Sequence, residues 1–277
     1  MTARFSAPSA RVRASAVAGR FYPAEPKTLS LMVDGFLDEF PHEHAFGIVV
    51  PHAGYIYSGS VAGAVYSRIE IPDRVVILCP NHTGLGTPLS IMRTGAWRTP
   101  LGQLQIDSEM CDALMTADSS LKDDILAHQS EHALEVQLPF LQRIAGNGIR
   151  FVPITVGTDD WDELERLGQV IAQAVQQIDP STLVIASSDM NHYESDAVTR
   201  IKDAKAIEQV LKRDARGLYE TVRRESISMC GFAPTTSMLV ATTLLGASEA
   251  KLVRYATSGD VSGDFDRVVG YAGIVIT

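Results

Sequence analysis

Histidine recurs in this chain at one kind of place. The apolar run Phe46–Val50 ends in Pro51-His52-Ala53-Gly54, Arg74–Cys79 runs into Pro80-Asn81-His82-Thr83-Gly84, and Thr182–Ala186 runs into Ser187-Ser188-Asp189-Met190-Asn191-His192. An imidazole can bind a metal or move a proton near neutral pH. Three of them just past three strand ends could share one crevice. Cys230 offers a thiol to the same chemistry. It stands before Gly231-Phe232-Ala233-Pro234 and a helix-like Thr235–Leu245, where a helix start with Pro in its first turn would favour a thiolate. Two further histidines lie in His128-Gln129-Ser130-Glu131-His132. Ser130 reads as an N-cap that places His132 in the first turn of a helix over Ala133–Ile144. The intervening residues look like a helix start, so the spacing does not make His128 and His132 a metal pair. His132 is instead a group that could orient a ligand or pass a proton.

The elements that would carry these residues read as an α/β fold. Apolar runs that stop at Pro or Gly suit strands buried on both faces, and ligands of open α/β sheets bind beyond the carboxyl ends of the strands. Phe151–Val156, a helix over Asp160–Ile178 and Leu183–Ala186 form a β-α-β unit, hence parallel strands. Helices are expected at Pro26–Glu39, at Ser58–Ile69 with its small residues against the sheet, at Ala197–Leu211 and at Asp214–Arg224. Leu89–Met92 reads as a strand and residues 95–106 as a hairpin. Asp107 or Ser108 caps a short helix to Met115, and Lys251–Tyr255 and Val268–Ile276 complete the sheet. The expectation is a single domain over residues 1–277 with a mostly parallel central sheet flanked by helices.

Composition narrows the function. With 277 residues, 45% hydrophobic and 21% charged, the chain can bury a sizeable core. A net charge of -9 without a basic stripe argues against nucleic acid, and the longest apolar stretches are strand-sized, too short for a membrane span. Cys79, Cys111 and Cys230 are an odd, unpaired set that suits a reducing cytoplasm; Cys79 and Cys111 read as inert core thiols. Residues 1–24 hold Arg4, Arg11, Arg13 and Arg20 and no acidic residue, the composition of an organellar transit peptide. Gly19–Pro23 reads as ordered chain, and this is the preferred reading. Gly-x-Gly-x-x-Gly is absent. Ser187, Ser188 and Asp189 near His192 lack the Gly-x-Ser-x-Gly elbow of a hydrolase, and Ser188 is expected to hydrogen-bond its own loop.

Pro51-His52-Ala53-Gly54-Tyr55-Ile56-Tyr57-Ser58-Gly59, Pro80-Asn81-His82, Glu131 to Phe140, Ser187 to Tyr193 and Cys230-Gly231 together resemble the Memo family, and Gly19–Pro23 resembles its opening. The resemblance implies a fold similar to the class III extradiol ring-cleaving dioxygenases, which hold one non-haem Fe(II) through two histidines and a carboxylate. It implies His52 and His82 as metal ligands, with Cys230 where the dioxygenases have the carboxylate. Asp189 and His192 would line the pocket, His192 as acid/base, and His132 would be a further pocket histidine. Fe(II) is the expected ion, with copper and zinc as alternatives because a thiolate is softer than a carboxylate. Three functions follow as expectations. The first is a mononuclear iron or copper protein with a redox or oxygen-related role. The others are a ring-cleaving dioxygenase on a catechol-like substrate, and a non-enzymatic pocket for a peptide or small anion.

Overall fold

The computed structural model describes residues 11–277. Five strands form its parallel centre, in the spatial order Gly102–Ile106, Arg150–Val156, Arg74–Pro80, Leu183–Ser187 and Gly47–Val50. The last four are almost wholly buried, because helices cover both faces of the parallel block. Antiparallel pieces extend the sheet on both sides. Val268–Ile276 pairs with Gly47–Val50 and with the outer strand Ala250–Thr257. The hairpin Ala96–Thr99 with Gly102–Ile106 lies at the other end. The described residues thus form one α/β unit with a mixed, mostly parallel sheet. The two strands of the expected β-α-β unit are parallel, with Arg74–Pro80 inserted between them.

Helix boundaries moved where caps decide them. The first helix spans Pro26–Asp34 rather than reaching Glu39, and Glu25 caps it through the Lys27 and Thr28 amides. The small-residue helix is Tyr55–Tyr66 and starts directly after Gly54, not at Ser58. Its small residues are required: a Cβ on Gly63 would lie 2.3 Å from the Phe36 carbonyl oxygen. The largest difference is at Ser130. It closes the short helix Leu126–Gln129 instead of opening one. A 3-10 turn, Glu135–Gln137, and the helix Leu138–Ala145 follow later. His132 is therefore a loop residue, not a first-turn helix residue. The physical reason is Glu131, whose carboxylate accepts the Ala133 amide at 2.9 Å while binding His82, which holds the chain in a loop.

The arginine-rich segment also differs from its transit-peptide composition; of its arginines Arg4 lies outside the described residues. Arg13 is buried and ion-paired with buried Glu135. Its guanidinium also donates to the carbonyls of His128 at 2.7 Å and Glu131 at 2.6 Å. Glu135 in turn accepts from the Ala16 and Val17 amides and the Tyr22 hydroxyl. Residues 13–22 are thereby fastened to the loop that carries His132.

Candidate metal centre

The parallel strands deliver their tails to one edge. His52 follows Gly47–Val50 and His82 follows Arg74–Pro80, and the strand between them, Leu183–Ser187, leads to Asp189 and His192. All of the sequence candidates, His52, His82, His132, Asp189, His192 and Cys230, line one cavity of about 650 Å³ together with Phe21, Tyr193 and Ser228. His128 does not reach it. It is fully buried in the core, with Nδ1 at 3.0 Å from the Thr155 hydroxyl.

Three histidines converge within that cavity. One ligating atom from each of His52, His82 and His132 lies within 4.8 Å of the others. The His82 and His132 rings stack with centroids 4.7 Å apart, and His52 stands nearly perpendicular to both. Phe21 packs on the far ring, 4.6 Å from His132.

The hydrogen bonds fix which nitrogen is free. Ser187 Oγ donates to the Ala133 carbonyl at 2.6 Å and accepts from Gln137 Nε2 at 2.9 Å. Its single proton is used, so His52 Nδ1, 3.0 Å away, must be the donor. His82 Nδ1 lies 2.9 Å from the Glu131 carboxylate and likewise donates. His132 Nδ1 approaches the same Glu131 oxygen at 3.4 Å. His52 and His82 thus spend Nδ1 on an acceptor, which leaves their Nε2 lone pairs for a ligand, while His132 Nδ1 only faces the same carboxylate. This is the arrangement that outer carboxylates and hydroxyls give metal-binding histidines.

Burial keeps the His52 and His132 rings neutral. Burial, reinforced by His82, lowers the His52 pKa to about 3. Burial and His52 lower that of His132 to about 4. Glu131 is fully buried, which by itself would raise its pKa, yet the His82 hydrogen bond and neighbouring amides bring it down to about 2. A buried anion therefore sits behind the neutral His132 ring.

Cys230 sits immediately before the helix Phe232–Leu244, and its Sγ lies 3.2 Å from His52 Nε2. Since that nitrogen carries a lone pair, the thiol donates to it. Burial and the Asp189 carboxylate push the thiol pKa up, opposite to the thiolate expected from the helix start alone. Asp189 uses Oδ1 to accept the His52 amide at 2.7 Å and the Ala53 amide at 3.3 Å, so it anchors the His52 loop. His192 lies across the cavity, its Nδ1 2.9 Å from the Ser228 carbonyl. A carbonyl only accepts, so Nδ1 carries the proton and Nε2 is free. Ser188 donates to the Asp189 carbonyl and accepts the Gly231 amide, which ties it into its loop.

Sequence reasoning did not find Glu131, Ser187 and Gln137 as orienting groups. Glu131 is 49 residues from His82 and Gln137 is 50 from Ser187, so no local spacing betrays either pair. The one available signal was a carboxylate directly beside a candidate histidine.

Comparisons with known proteins agree with one another. Residues 13–275 match the family model described as Memo-like protein. A MEMO1 family protein of Methanopyrus kandleri is 45% identical over 95% of this chain and 98% of its own length. MEMO1 family proteins of Methanosarcina acetivorans and Pyrobaculum arsenaticum are 42% and 41% identical, each over 96% of this chain and 99% of their own.

Proposed function

The chain belongs to the Memo family, and from that premise we propose that it holds one iron or copper ion at His52, His82 and His132, with Cys230 as an additional donor, and that the centre has a redox or oxygen-related role. The observation that carries this reading is the convergence of three imidazoles, two of which, His52 and His82, already have Nδ1 engaged. The donor set fits the group. Two nitrogens at about 2.1 Å from a tetrahedral ion are about 3.4 Å apart, so a span of up to 4.8 Å closes with small ring movements. Neutral imidazoles with a soft sulfur suit copper, iron or zinc better than magnesium or calcium. Bound there, iron or copper would supply one-electron or oxygen chemistry.

The protein's own groups would do the rest. Glu131 holds the His82 ring, lies beside His132 and offsets positive charge from behind. Ser187 and Gln137 hold His52. Cys230 gives up its proton on binding, so uptake is expected to release protons and to strengthen with pH. His192 presents Nε2 to the cavity, where it can take or return a proton of a bound molecule. The cavity, at about 650 Å³, is of a size for a small-molecule ligand.

Elemental analysis of anaerobically purified protein tests the reading. Near-stoichiometric iron or copper in wild type, lost in His52→Ala and reduced in Cys230→Ser, is the expected result. Wild type that remains metal-free after reconstitution would overturn it and favour a metal-free binding pocket. The free Nε2 of His192 favours one more specific version, ring cleavage of a catechol-like substrate on Fe(II). Oxygen uptake across a catechol panel checks that version, and silence from the iron-loaded protein would remove it.

A further inference from the structure

His192 owes its orientation to a network that runs from the exposed Ser228 back to buried Asn191 and Asp203, away from the proposed metal-binding histidines. Its main-chain amide donates to Ser228 Oγ at 2.8 Å, and its ring Nδ1 donates to the Ser228 carbonyl at 2.9 Å. Ser228 is itself held by one atom. Asn191 Oδ1 accepts both the Ser228 amide at 3.0 Å and the Ser228 hydroxyl at 3.1 Å. Asn191 is fully buried with every polar group paired. Its Nδ2 donates to Glu194 at 2.7 Å, its carbonyl accepts the Gly270 amide at 3.0 Å, and its own amide donates to Asp203 at 2.8 Å.

Asp203 is the anchor. It lies on the helix Asp196–Leu211, is fully buried, and forms no ion pair among the described residues; the Tyr255 hydroxyl donates to its second oxygen at 2.6 Å. The neighbouring strand is cut to fit this carboxylate, because a Cβ on Gly270 would stand 1.9 Å from Asp203 Oδ2. A buried carboxylate spent on the amide of a loop residue is a costly way to build a core. The residue after His192 also bears strain. Tyr193 has a φ of 63°, a left-handed conformation that an aromatic residue adopts only when its surroundings enforce it.

We propose that Asn191 is the positioning residue of His192: anchored by Asp203 and acting through Ser228, it fixes the imidazole as the Nδ1–H form with Nε2 facing the cavity. The proposal rests on the reading of His192 as the proton-handling group of the proposed centre, and it adds that this orientation is set without the metal. The ligands His52, His82 and His132 are held by Glu131, Ser187 and Gln137, none of which belongs to the network.

Ring-nitrogen NMR of histidine-labelled, metal-free protein at alkaline pH tests it, with the His192 signals identified by their loss in His192→Gln. Wild type is expected to show a single neutral form with the proton on Nδ1. Asn191→Ala and Asn191→Leu, which remove the oxygen that holds Ser228, are each expected to lose that single-form pattern and gain the Nε2–H form, whereas Ser228→Ala keeps the accepting carbonyl and is expected to retain it. Asp203→Asn, which keeps an oxygen for the Asn191 amide, is expected to retain it. If Asn191→Ala does not fold, Asn191→Leu, which keeps the side-chain volume, decides. A wild-type ring protonated on Nε2, or an unchanged pattern in the folded Asn191 variants, overturns the proposal. Metal content of the same variants separates the two readings: it is expected to stay at the wild-type value, and a metal-free wild type would remove the proposed centre while leaving the tautomer result standing.

Discussion

His128 and His132 stand four positions apart, and burial lowers both pKa values, to about 3 and about 4. One faces a cavity and two other imidazoles; the other faces the core. His128 Nδ1 meets the Thr155 hydroxyl, its Nε2 has no hydrogen-bond partner among the described residues, and Trp97 packs against it. The same contrast separates two neighbouring carboxylates. Glu131 points its charge at His82 and His132, whereas Glu135 spends its charge on Arg13 and the residue 16–22 segment. A perturbed pKa therefore does not identify a site here. Convergence of unspent lone pairs on open space does.

That contrast can be broken by substitution. The largest effect is expected at the converging rings: His82→Ala should lose stoichiometric metal, whereas His128→Leu should keep it, both read by elemental analysis. Equal retention in the two variants would dissolve the distinction. Next, Arg13→Ala leaves Glu135 buried without its cation, for an expected cost of about 3–5 kcal/mol. Denaturant titration measures it, and the folded fraction should still bind metal. Glu131→Gln keeps the shape but removes the charge beside two of the proposed ligands. Metal affinity is expected to fall about 10- to 100-fold, measured by competition with a chelator.

The smallest effect is a slope. The His128 pKa of about 3 in the folded protein lies below the value of about 6.5 for a free imidazole. Between those values the unfolded chain binds a proton that the folded chain does not, so stability falls as pH drops through the window. His128→Leu should flatten that fall by up to about 1.4 kcal/mol per pH unit. Equilibrium unfolding of metal-free protein at pH 4 to 6 reads it, and an unchanged slope would mean that His128 is not the neutral group described above.

The strand ends were legible because Ile48-Val49-Val50 and Val75-Val76-Ile77-Leu78 are unbroken apolar runs stopped by Pro, and burial on both faces leaves no other pattern. The histidines at those ends were legible for the same reason. The loop around His132 was not. Ser130 followed by an apolar stretch is the ordinary signature of a helix start, and only the pairing of Glu131 with His82, far off in sequence, reveals that the chain does something else. Arg13 was illegible in kind: among other arginines it reads as composition, and its partner Glu135 lies 122 residues away. Local patterns report periodicity and caps; they are silent about which buried charge meets which.

The strand order bears on when the centre can exist during folding. His52 and His82 leave strands that do not touch; Leu183–Ser187 lies between them, and Cys230 is 178 residues from His52. An early-emerging fragment can hold His52, His82 and His132, but not the strand that sets their spacing. Contacts of such long range close late. Metal capture at the proposed centre would therefore report that the last third of the chain is in place, and a chain truncated before Leu183 should emerge with its three histidines and no competent centre.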